Sequence, residues 1–292
     1  MDVILHVGAH KTASTHLQRM LRGARAALDE AGVAMFTPNE LRLPEGLPLE
    51  PALAGDAGAA EALRAAMAGA GSRLVVSEEN LLGPSMRPEA PGVLYPHAER
   101  RLAAFLEATG LGSVRLMLAV REPVDWLISS HAQRMMAGRW IGFDAFVDGF
   151  DPRSLAWSGY VERLMAVPGV TGCDVWRVED WPGVLPAVLG RMLPEGLVPA
   201  VRLLPGVTHA GLSARALALM AEARPAPTDR EARRAVALAA RGRFPKGPEN
   251  PAPAPFAPAL VAESAAAHAA DLARLAALPG VTLLHPAAGL RG

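Results

Sequence analysis

"HVGAHKTASTHLQ", residues 6–18, joins a short apolar run to a stretch of helical periodicity through a loop that contains one glycine. Upstream, "DVILHVG" (2–8) is near-continuously apolar with β-branched residues, which predicts a buried strand. Downstream, Leu17, Met20, Leu21, Ala24 and Leu28 recur at helical spacing, and Gly32 stands where such a helix would end. Strand, glycine, loop and helix in this order turn backbone N–H groups and a helix N-terminus toward an anion.

Working outward, "RLVVSEE" (73–79), "VRLMLAV" (114–120), "CDVWRVE" (173–179) and "VTLLHP" (281–286) repeat the strand pattern, giving about five in all. Residues 97–109, 125–138, 212–223 and 259–278 have helical periodicity between or after them. Strands alternating with helices predict an α/β chain with a central parallel sheet flanked by helices. Residues 37–58 are rich in Pro, Gly and Leu without a period, and are expected to form an irregular surface excursion. Residues 224–258 combine a short basic helix with a Pro-rich loop. One domain over 1–292 carrying these elaborations is the simplest organisation.

The formal net charge is zero, so the basic excess of a nucleic-acid binder is missing. No apolar run reaches the ~20 residues of a membrane span, and no leader segment is expected before the first strand. The single cysteine, Cys173, leaves no partner for an intramolecular disulfide and no cysteine metal cluster. A cytoplasmic setting follows as the expectation. Lysine usage is sharper: of 29 basic residues only two, Lys11 and Lys246, are lysines. Against such a bias toward arginine, Lys11 is expected to mark a place for a compact ammonium, whereas Lys246 is read as a chance survivor.

The position of Lys11 separates two kinds of phosphate loop. On GxxxxGK[ST], the ATP-binding loop, Gly8 takes the first glycine and Thr15 the final hydroxyl. Ala13 falls on the second glycine and Ser14 on the lysine, so the template lysine is absent and Lys11 stands three residues early. The loop can hold one phosphate with its N–H groups, Ser14 and Thr15, while its ammonium addresses another atom. The stretch resembles the 5′-phosphosulfate loop of sulfotransferases that use 3′-phosphoadenosine 5′-phosphosulfate (PAPS), which in bacterial members reads like HxGxHKTGTTxLQ. His6, Gly8, His10, Lys11, Thr12, Thr15, Leu17 and Gln18 agree; Ala13 replaces a glycine and Ser14 a threonine. The resemblance implies a P-loop-like sulfotransferase fold, with residues 8 and 10–15 around the nucleotide. It also implies Lys11 against the oxygen that bridges phosphate and sulfate.

PAPS carries a 3′-phosphate, for which the family uses an arginine at a strand end and a serine eight residues later. "VRLMLAVREPVDWLISS" supplies Arg121 and Ser129 at that spacing, with Pro123 as a helix starter. For the general base, "RLVVSEENLLG" brings Glu78 and Glu79 to another strand end, where open α/β sheets collect ligands. The family pattern SxEN favours Glu79, with Glu78 as substitute and His10 as a third candidate. Adjacent side chains diverge, so one of the two glutamates is expected to face the acceptor. Arg241, Arg243 and Lys246, in a segment that faintly echoes a late Arg-Lys-Gly motif, are either a lid over the ligand or a solvated basic loop. His209 is expected to mark a capping region. No metal-ligand spacing is present, and transfer from PAPS requires no metal. The expectation is sulfuryl transfer from PAPS, leaving adenosine 3′,5′-bisphosphate, to the hydroxyl or amine of a small-molecule or carbohydrate acceptor. A P-loop kinase of a small metabolite and a non-catalytic nucleotide binder are the alternatives. Neither acceptor identity nor oligomeric state can be read from these residues.

Overall fold

A computed structural model describes residues 1–42, 45–83, 93–204, 211–223 and 228–286. In its first half the elements are β1 (Asp2–His6), α1 (Ser14–Gly23), α2 (Arg25–Glu30), β2 (Val33–Phe36), α3 (Pro38–Arg42), α4 (Leu49–Leu53), α5 (Ala57–Ala68), β3 (Arg73–Ser77), α6 (Ala98–Thr109) and β4 (Val114–Val120). The second half adds α7 (Pro123–Met136), α8 (Phe143–Val147), α9 (Trp157–Met165), β5 (Val170–Arg177), α10 (Leu185–Met192), α11 (Ala214–Ala221), α12 (Arg230–Arg243), α13 (Pro258–Ala276) and β6 (Val281–Leu284). The class is α/β: the strands form one six-stranded sheet, ordered β2-β3-β1-β4-β5-β6, with every pairing parallel.

Burial on both faces explains the unbroken apolar runs. Val3, Leu5, Leu74, Val76, Leu116, Leu118 and Val175 join one core cluster, with side chains such as Leu63, Phe105, Trp126 and Leu164. The alternate residues Ile4, Val75, Met117, Ala119 and Trp176 join the other, with Leu17, Met20 and Leu21 of α1 and Val188 and Leu189 of α10. The period of two is therefore obeyed, but neither face is polar. Helix α1 follows β1 and α7 follows β4, so the two helices that leave these adjacent strands lie on opposite faces. The strand order reverses between them, which opens a crevice beyond the carboxyl ends of β1 and β4. A smaller cluster of Ala132, Leu212, Ala216, Met220, Ala237 and Ala240 joins α7, α11 and α12.

The expected parallel sheet flanked by helices is present, with β2 as a sixth strand: it is a four-residue edge strand, "VAMF", too short to display a period. One expectation needs correction, since the segment 37–58 is not an irregular surface excursion. It contains α3 and α4, and Leu41, Leu49 and Ala52 are buried in the core. Its two five-residue helices are shorter than the windows in which periodicity becomes visible. The basic helix expected within 224–258 is α12, whereas His209 lies outside the described residues. Among the described residues, no helix is long and apolar enough to cross a membrane.

Candidate active site

The loop after β1 is held by its carbonyls. Thr12 Oγ1 donates to the Ala9 carbonyl at 2.5 Å, Trp126 Nε1 to that of His10 at 3.0 Å, and Arg121 Nη1 to that of Lys11 at 3.0 Å. Three successive acceptors are thereby committed to donors and do not compete with an incoming anion. Gly8, at φ 104°, lets the backbone pass Glu79; a Cβ at this glycine would stand 3.2 Å from the Cβ of Glu79. Lys11 and Ala13 also adopt the left-handed region, at φ 66° and 67°, a conformation that glycine takes without strain. No side chain caps α1, whose first turn is left to the loop.

The outer motif residues form the frame. Gln18 Nε2 donates to Ser77 Oγ (3.2 Å) and to Glu79 Oε2 (3.0 Å), and Ser77 Oγ meets His6 Nδ1 at 2.7 Å. Burial lowers the pKa of His6 to about 4, against the pull of the Glu79 charge, so its ring is neutral. His10 is likewise buried. Its backbone N–H donates to Tyr95 Oη at 3.0 Å, that hydroxyl meets its Nδ1 at 2.9 Å, and its Nε2 lies 2.8 Å from Asn80 Oδ1. Both ring nitrogens are engaged by neighbours, and burial depresses the pKa.

The neighbouring glutamates separate as adjacent side chains should. Glu78 is fully buried and faces away from the crevice, where Arg42 Nε reaches its two oxygens at 3.0 and 2.8 Å and the Asn80 N–H donates at 2.7 Å. Burial raises its pKa despite that partner. Glu79 lines the crevice. Burial pushes its pKa up, but Arg42, 3.1 Å from Oε1, and the Gln18 bond more than offset this, and the carboxylate titrates below its ordinary range.

These elements enclose one cavity of about 1030 Å³. Lys11 and Arg121, assigned from separate motifs, both line it, as do His10, Ala13, Ser14, Thr15, Glu79 and Ser129. Gly8, Thr12 and Glu78 do not; they brace the loop or the neighbouring strand end. Lys11 Nζ donates to Gln133 Oε1 at 2.7 Å, and burial together with the nearby Arg121 charge lowers its pKa to about 8. Two buried polar atoms at this crevice have no partner among the described residues: Ser14 Oγ and Arg121 Nε. Leaving such groups unsatisfied costs about 1–3 kcal/mol each, a cost that an anionic ligand would remove.

The second lysine of the chain, Lys246, also lines this cavity, with Arg241; Arg243 does not, its guanidinium lying over the Phe244 ring. Sequence reasoning missed Gln133, Arg42, Arg230 and Arg234. Gln133 is one helical turn beyond Ser129, so helical spacing would have flagged it; no local signal marks the others. No protein-family model matches the chain, and no curated protein matches it.

Proposed function

We propose that the chain is a PAPS-dependent sulfotransferase. The observation that carries this reading is the convergence of Lys11 and Arg121 on one cavity, beside the two partnerless groups Ser14 Oγ and Arg121 Nε. A nucleotide phosphorylated on both sides of its ribose needs two cationic pockets with hydroxyl donors, and Lys11 with Ser14 and Thr15, then Arg121 with Ser129, supply them.

In the reaction so proposed, the acceptor oxygen attacks the sulfur of PAPS as its proton passes to Glu79. The bond from sulfur to the bridging oxygen breaks, and that electron pair stays on the phosphate of adenosine 3′,5′-bisphosphate. Negative charge grows on the bridging oxygen during this step. The Lys11 ammonium therefore stabilises the transition state more than the bound donor, which is how it accelerates transfer. Glu79 is ionised at neutral pH and held by Gln18 and Arg42, so it is ready to accept the proton. Glu122 caps α7 by accepting from the Asp125 N–H at 3.0 Å, and Trp157 Nε1 donates to the Arg121 carbonyl at 2.8 Å, fixing the strand end that presents Arg121.

The test is release of adenosine 3′,5′-bisphosphate from PAPS across a panel of hydroxyl and amine acceptors. Glu79→Gln is expected to lower turnover by roughly 10²–10⁴-fold while PAPS still binds. Turnover of magnesium-ATP with no use of PAPS would favour a small-metabolite kinase; binding without turnover of either would favour a non-catalytic nucleotide binder.

A further inference from the structure

Helix α12 forms the wall of the cavity that neither anion motif explains. At 100° per residue, Arg230, Arg234, Leu238 and Arg241 fall within about 80° of arc, and all four line the cavity. The adjacent stripe, Ala237 and Ala240, is buried against α7 and α11 and fixes this orientation. Among the described residues, none of these three arginines is within ion-pair distance of a carboxylate; the one acid of α12 that lines the cavity is Glu231.

Helix α7 serves as a ruler for the cavity. Arg121 precedes its first turn. Lys11 Nζ is bound to Gln133, about 15 Å along the axis from Pro123, and Arg230 Nε donates to the Ala137 carbonyl at 3.0 Å, about 6 Å further on. The order is therefore Arg121, then the Lys11 ammonium, then Arg230. Arg230 therefore meets α7 about one turn beyond Lys11 and about 21 Å from Pro123, at the end of the helix away from Arg121. Resting on the sulfotransferase reading, we propose that Arg230 and Arg234 bind an anionic group, a carboxylate or a sulfate, on the acceptor, and so select acceptors that already carry negative charge.

The experiment uses the full chain saturated with adenosine 3′,5′-bisphosphate. Thermal shifts are measured with glucuronate against glucose, glucose 6-sulfate against glucose, 4-hydroxybenzoate against 4-hydroxybenzyl alcohol, and inorganic sulfate as the bare ion. The expected result is extra stabilisation by anionic members over their neutral partners. It should exceed that from inorganic sulfate and be lost in Arg230→Gln/Arg234→Gln and reduced in Arg234→Gln alone. Retention of the bisphosphate shift in both variants would show that they fold and still hold the nucleotide. Equal responses within each pair, a response that survives the double variant, or a bisphosphate shift lost with these arginines overturns the inference alone. A wild-type chain that shows no bisphosphate shift overturns the sulfotransferase reading and this inference with it.

Discussion

In the proposed reaction, Lys11 concentrates the chemistry of the site in one ammonium. Burial and Arg121 lower its pKa to about 8, so in the free protein it carries its charge below that pH and loses it above. Phosphate groups, with a second pKa near 6, are about nine-tenths ionised at pH 7 and fully so above, and contribute little titration of their own. Binding of adenosine 3′,5′-bisphosphate should therefore weaken as pH rises from about 7 to 9, as titration calorimetry over that range would record. In Lys11→Arg the decline should flatten, because a guanidinium keeps its proton. At this scale the sequence was informative. Lysine scarcity singled out Lys11; Lys246, read as a chance survivor in a lid or a solvated loop, lines the same cavity. Glu79 and Glu78 could not be separated by composition, since their difference lies in Arg42, which arrives from a distant short helix.

That helix, α3, shows what was not legible at the scale of elements. The long strands and helices announced themselves because burial on both faces leaves continuous apolar runs and amphipathic helices leave a 3.6-residue period. Helices α3 and α4 and strand β2 have four or five residues each, too few for either signal, and are fixed by tertiary packing. Yet α3 places Arg42 on the fully buried Glu78. Arg42→Ala would leave that carboxylate buried without its cation. A loss of about 2 kcal/mol is expected, below the range for a fully buried pair because Arg42 is half-exposed. Adding Glu78→Gln should recover part of that loss, since the orphaned charge disappears. Urea unfolding of the two variants beside the wild type measures both effects.

At the scale of the molecule, topology brings the two motifs together. They are more than 100 residues apart in the chain, and β1 and β4 become neighbours only because the strand order reverses between them. The order of the two motifs along the chain was readable from the sequence, but their convergence on one cavity, and the α12 wall closing it, depended on packing among α7, α11 and α12. The sulfotransferase reading requires one cavity to grip phosphate on both sides of a ribose. Thermal unfolding with adenosine 3′,5′-bisphosphate and with AMP at equal concentration compares the two grips with one. A ligand at one hundred times its Kd adds about 2.7 kcal/mol. A clearly larger shift is expected with the bisphosphate, reduced to the AMP level in Arg121→Ala. Equal shifts from the two nucleotides in the wild-type protein would contradict the reading.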